Sequence, residues 1–280
     1  MLRDTGSPRA DAEADFLRAR RLQVTAALAS RLRREDSGDR TALSFQEVVD
    51  ALGPLEEVSL GLRIIPVDRI VGSVDKVRDF DPKFRPRTGR NRQRFERIAE
   101  AVRRGETLPP IDVYQVGDMY FVRDGHHRVS VYRILELPSI EADVRLVRTL
   151  VDPDDVHAHS DLADRELQRL FLQRVPIGRA RQDAVELSDA KAYPWLAEMV
   201  EAWAARLMFV DGTCLDREQA AQRWYAEEFG PVTTLIEQAG LRKEGETPAD
   251  AYLWAAGERY ALFRNHVWNA EVVAELVRRR

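Results

Sequence analysis

The hydrophobic period of this chain changes twice along its length, and the changes divide it into three stretches of different structural type. Up to residue 58 the apolar residues recur at helical spacing. From about residue 60 they fall in short β-type runs, at 62–67, 111–116, 119–122 and 140–147, and beyond residue 150 helical spacing returns. Strands grouped in the middle with helices on either side predict an α+β fold. It comprises an N-terminal helical arm at 1–58, a small mixed α/β domain at 59–149 and an all-helical C-terminal domain at 150–280. A chain of 280 residues, 44% of them hydrophobic, is long enough for such an arrangement.

Within the arm, residues 16–34 read as an amphipathic helix with Phe16, Leu17, Val24, Leu28 and Leu32 near one face, broken by the polar run 35–39. A second helix carries a capping-box pattern from Ser44 to Glu47 and stops at Gly53 before Pro54. Both helices are expected to form an appendage. In the middle stretch Gly117-Asp118 reads as a two-residue hairpin turn, and 95–104 as a helix with Phe95, Ile98, Ala99 and Val102 on one side, closed by Gly105. The helical domain shows two apolar stripes, Trp195, Met199, Val200, Trp203 and Leu207, then Tyr252, Leu253, Ala256, Tyr260 and Phe263. Stripes of this kind are expected to be core rather than ligand-binding.

The chemistry concentrates at one junction. Met119-Tyr120-Phe121-Val122 is strand-like and Val129 to Leu135 is helix-like, so Arg123-Asp124-Gly125-His126-His127-Arg128 opens a helix directly after a strand. A helix opening presents unpaired N–H groups and the positive end of the dipole, which favour an anion. Gly125 permits close backbone approach, and Arg128 offers a forked contact to phosphate oxygens. Asp124 could cap the helix, hold a metal ion or act as base; His126 and His127 could contact phosphate or move protons.

Charge balance makes any such binding local: 43 basic and 47 acidic residues give a formal charge of −4, with no global attraction to nucleic acid or anionic membrane. Cys214 is the one cysteine, which excludes an intramolecular disulfide and multi-cysteine zinc sites. The polar N-terminus lacks the apolar centre of a signal peptide and no segment reaches membrane-spanning length, so a cytoplasmic protein is expected.

From Ile65-Pro66-Val67-Asp68-Arg69-Ile70, through Asp81-Pro82-Lys83-Phe84-Arg85-Pro86 and Thr107-Leu108-Pro109-Pro110-Ile111-Asp112-Val113, to Arg123-Asp124-Gly125-His126-His127-Arg128 and Leu137-Pro138-Ser139-Ile140-Glu141-Ala142, the middle stretch resembles the ParB/sulfiredoxin superfamily. The resemblance implies that the glycine-led turn binds nucleotide phosphates. Partition proteins of the ParB type carry a glycine, an acid and two arginines there and bind and hydrolyse CTP. Sulfiredoxins carry glycine, cysteine, histidine and arginine, and other members phosphorylate free serine. His126 stands where sulfiredoxins have their cysteine, which disfavours sulfinic-acid reduction. The segment 247–254 resembles the C-terminal domain of a bacterial group of ParB-like proteins.

The resemblance implies a nucleotide site (ATP, ADP or CTP) at Gly125, His127, Arg128, Arg85 and Thr107, with magnesium accompanying the nucleotide and Asp124, His126 and His127 as proton-handling residues. Phosphoryl transfer to a small-molecule acceptor or nucleotide hydrolysis would follow. The ParB pattern usually has a glutamine where Pro109 stands. The rival readings are a DNA-binding partition-type protein, using the basic stretch Lys83 to Arg97, and a non-catalytic ligand-sensing module whose helical domain engages a protein partner. DNA is disfavoured by the acidic overall balance and because 216–239, the best helix-turn-helix candidate, places Pro231 where a break is needed. His157 and His159 with Asp161 resemble metal ligands only superficially and read as a loop before an Asp161-capped helix, so no metal site of the protein's own is expected.

Overall fold

A computed structural model of the chain describes residues 5–32, 42–76, 79–90, 92–154, 156 and 158–280. It divides into two compact units, Met1–Ala163 and Asp164–Arg280. The arm is therefore part of the α/β unit and not an appendage. The expected breaker 35–39 and His157 lie outside the described residues.

The first unit is built on a six-stranded mixed sheet. Its strands are β1 (Leu43–Ser44), β2 (Pro54–Pro66), β3 (Ile70–Ser73), β4 (Ile111–Val116), β5 (Met119–Asp124) and β6 (Ser139–Thr149), in the order β1-β3-β5-β4-β6-β2. β4 and β5 form the expected antiparallel hairpin, with Gly117 at φ 56°. A side chain there would strike Pro153, since a Cβ would sit 2.4 Å from its Cγ. β4 runs parallel to β6, and β6 pairs antiparallel with β2 along almost the whole length of both. β2 is twice as long as its apolar run suggests, because its polar first half is held by β6 across two register shifts.

The helices of this unit are α1 (Pro8–Leu32), α2 (Phe45–Leu52), α3 (Arg92–Arg103) and α4 (His126–Ile134). Ser44 Oγ accepts from the Glu47 amide, and Gly53 closes α2 at φ 74°, as the sequence predicts. Of the predicted face of α1, Phe16 is buried, but the rest of the buried face is different. Leu17, Val24 and Leu28 are exposed, while Ala12, Phe16 and Ala19 pack with Phe95 and Ala99 of α3 and Val131 and Ile134 of α4. Small residues let two helices approach closely, and Phe16 then meets Phe95 edge-on at 5.6 Å between centroids. Arg103 makes a forked contact to Asp15 at 2.9 and 3.1 Å at the edge of this packing. Burial raises the Asp15 pKa despite that partner.

Against the sheet lies a second cluster, including Ile65, Ile70, Phe80, Phe84, Ile111, Val113, Val122 and Val129. α4 is shared by both clusters, through Val129 on one side and Val131 and Ile134 on the other. α5 (His159–Arg174) starts at His159; Asp161 lies in its first turn and accepts from the Ala158 amide at 2.8 Å.

The second unit holds α6 (Tyr193–Asp211), α7 (Arg217–Trp224), α8 (Gly230–Gln238), α9 (Pro248–Phe263) and α10 (Ala270–Arg279). Between α7 and α8 the chain continues helically through a π-turn, Tyr225–Phe229, so 216–239 makes no helix-turn-helix corner. Widening the helix just before Pro231 accommodates a ring that would otherwise clash with the preceding turn. Capping boxes start α7, at Asp216 and Gln219, and α9, at Thr247 and Asp250. The buried face of α6 is Leu196, Ala197, Val200 and Ala204, one position round from the predicted stripe. Trp195, by contrast, is 52% exposed. Among the described residues no helix is long and apolar enough to cross a membrane.

Candidate functional site

β5 ends at Asp124 and α4 begins at His126, with Gly125 between them at φ 102° and ψ 15°. The left-handed backbone suits glycine, and the surroundings require it, because a Cβ would lie 2.4 Å from Ile111 Cγ2. No side chain caps the helix, so the first-turn N–H groups are left for a ligand or water. This is the strand–glycine–helix junction expected from the sequence.

The side chains of the junction are more deeply committed than the sequence implies. His126 is 2% exposed, with Nε2 2.7 Å from Ser73 Oγ; that hydroxyl oxygen accepts from the Lys76 amide at 2.9 Å. His127 is 5% exposed. Phe80 stacks on His126 with centroids 5.9 Å apart and meets His127 edge-on at 5.4 Å. Burial is the main cause that lowers both imidazole pKa values from 6.5 to about 4, reinforced chiefly by Lys76 at His126 and by Arg94 at His127. Both rings are therefore neutral at neutral pH. Their Nδ1 atoms, and Ser130 Oγ one turn on, are buried without a hydrogen-bond partner among the described residues.

Arg128 donates from Nη1 to the carbonyl oxygens of Pro109 and Pro110, the latter at 2.6 Å, and from Nη2 to Asp124 Oδ2 at 2.9 Å. It thus ties the loop before β4 to the turn, which brings the 107–110 segment beside Gly125. Burial lowers the Arg128 pKa. Asp124 does not cap α4; its side chain is 64% exposed and faces Arg128. Thr107 is exposed in the tethered loop.

Arg85 does not join this group. Its Nε binds Asp81 Oδ2 at 2.7 Å, and it lines a cavity of about 670 Å³ with Arg133, Ile134, Glu136 and Leu137, at the opposite end of α4 from Gly125. The turn instead gathers two cations from distant segments, Lys76 after β3 and Arg94 in α3, neither in an ion pair among the described residues. Ser73, Lys76 and Phe80 carried no local signal in the sequence. Arg94 was one of several similar arginines.

His159 Nε2 lies 3.4 Å from Glu47 Oε2, and among the described residues no group of three or more His, Cys, Asp or Glu side chains could hold a metal ion.

The model of the ParB N-terminal domain family matches residues 69–157. Among solved structures, a sulfiredoxin from Arabidopsis thaliana is 22% identical, covering 31% of this chain and 86% of its own, with a TM-score of 0.25. A Pnob8-like ParB-N domain is 10% identical over 80% of each chain, with a TM-score of 0.22. No curated protein matches the chain. The stretch that matches the ParB N-terminal domain model is the one that carries β3 to β6 and the uncapped turn.

Proposed function

We propose that the opening turn of α4 binds the phosphates of a nucleotide, with the backbone of Gly125 to Arg128 as the cradle and Lys76 and Arg94 as the neutralising cations. The observation that carries this reading is a helix N-terminus without a side-chain cap, entered through a left-handed glycine and flanked by two cations that form no ion pair among the described residues. Arg128 serves the site by holding the Pro109-Pro110 loop against it. The imidazoles, neutral and shielded, shape the floor and are not the proton acceptors. Magnesium fits as an ion carried in by the phosphates, since the exposed carboxylate of Asp124 stands at the turn and, among the described residues, no cage of protein ligands does. Any turnover would rely on Asp124 and on positioning.

Calorimetric titration with magnesium ATP, ADP and CTP tests this reading. The wild type is expected to bind at least one of them, and the Lys76→Ala/Arg94→Ala variant about tenfold more weakly. Absence of binding by the wild type to all three overturns it.

The exposed Lys83, Arg90, Arg94 and Arg97 favour a second reading, duplex DNA as partner, in keeping with the family match. It predicts gel-shift affinity that falls steeply with salt. Binding that is tight and indifferent to nucleotide would put this reading first.

A further inference from the structure

The second unit contains a cavity of about 370 Å³ between α6 and α9, within the size range of small-ligand pockets, roughly 300–1,000 Å³. Most of its walls are residues of the two stripes that the sequence pattern assigns to core. Trp195, Met199 and Trp203 come from α6, Tyr252 and Tyr260 from α9, and His266 from the segment after it. Trp195 lies over α9 at Gly257, where a Cβ would touch the indole at 3.4 Å, so the absence of a side chain lets the ring form one wall. Tyr260 and His266 stack at 5.4 Å between centroids, 24° apart in plane, and form another. Flat walls of this kind fit a flat apolar body.

The polar groups in the cavity do not cancel. Glu228 Oε1 is occupied by Arg259 Nη1 at 3.4 Å and by Trp268 Nε1 at 3.0 Å. Arg259 also donates to the His266 carbonyl at 3.1 Å and rests over the Trp268 ring. Arg206 is a second guanidinium facing the same space, and among the described residues it forms no hydrogen bond or ion pair. Arg259 Nε is buried without a hydrogen-bond partner among the described residues. Tyr252, whose oxygen accepts from Trp224 Nε1 at 3.2 Å, keeps its own hydrogen to donate. Two arginines against one glutamate leave a single net positive charge. His266 adds none at neutral pH, because burial and the two arginines lower its pKa. A planar, half-buried guanidinium with free donors is the group that recognises a carboxylate in forked geometry.

We propose that this cavity binds a monoanionic aromatic carboxylate, its ring between Trp195, Trp203 and Tyr260 and its carboxylate on Arg206. This goes beyond the nucleotide site, which lies in the other unit, and stands or falls independently of it.

The test uses the full chain and three probe pairs: benzoate, phenylacetate and 2-naphthoate, each beside its neutral amide, at millimolar concentration. At least one carboxylate is expected to give a saturable calorimetric isotherm, with its amide and the Arg206→Gln variant each about tenfold weaker. In the wild type, the indole N–H resonances of Trp195 and Trp203 should shift on binding more than that of fully buried Trp224. If Arg206→Gln does not fold, the carboxylate–amide contrast and the indole shifts decide alone. Failure of all three carboxylates to saturate, equal affinity for acid and amide, or unmoved Trp195 and Trp203 resonances overturns the proposal.

Discussion

At the start of α4 the polar side chains that look most available in the sequence are the ones the fold has engaged. His126 and His127 are sealed beneath Phe80, and Arg128 is bound to two carbonyls and a carboxylate. In the helical unit the apolar residues that look most like core, Trp195 and Trp203, line open space around an arginine that has no partner among the described residues. Residue type distinguishes neither case, because availability depends on what else the fold brings to the same atoms. The two histidines were hidden by Phe80, which lies more than 45 residues upstream. The tryptophans were left open because α6 is rotated so that Leu196, Val200 and Ala204 take the core.

The largest effect that would break this contrast is a pH dependence of stability. Each buried imidazole has its pKa lowered from 6.5 to about 4, so the unfolded chain takes up a proton before the folded one does. Stability from this source is complete above pH 6.5 and is lost as pH falls through the window from 6.5 to about 4. By pH 5 the loss is about 2 kcal/mol per imidazole, or about 4 kcal/mol for the pair. Urea unfolding from pH 7.5 to 4.5 should show this fall, and His126→Asn/His127→Asn should flatten it. An unchanged slope in the double variant would mean that the rings are open to solvent and free to act on a phosphate.

A smaller effect is expected at Arg128. Replacing it with alanine leaves the Pro109 and Pro110 carbonyls and Asp124 without their donor, at a cost of about 2–3 kcal/mol. A side chain devoted only to ligand would cost almost nothing in the free protein. Chemical denaturation without nucleotide therefore separates tethering from binding, and a loss under about 0.5 kcal/mol would return Arg128 to the role of a free phosphate contact.

The legible part of the fold was the part with strong local pattern. β4, β5, their Gly117 hairpin, α3 with its Gly105 stop, and the glycine-led opening of α4 stand where the period and turn residues put them. β1 and β3 were missed because two and four residues carry no period; β3 is held by its neighbours, with Gly72 pressed against Phe121. α1 misled for a different reason. Its leucines and Val24 mark out a face by size, yet close packing on α3 selects Ala12 and Ala19 beside Phe16, and Arg103 draws Asp15 inward. The candidate site divides in the same way: the backbone of the turn was readable, whereas Ser73, Phe80 and Lys76 arrive through tertiary contacts.

The smallest effect tests the other side of the comparison. Trp195→Ala removes a ring that is half exposed and lies over Gly257 of α9, so it should cost under about 1 kcal/mol. Trp224 is 0% exposed and packs among Phe229 and Tyr252, and its replacement by alanine should cost about 4 kcal/mol. Thermal and urea unfolding of the two variants provide the comparison within one unit. If Trp195→Ala proves as costly as Trp224→Ala, the α6 stripe is core after all, and the space beside it closes over in solution. A small loss leaves the indole as a wall whose worth is realised only when something lies against it.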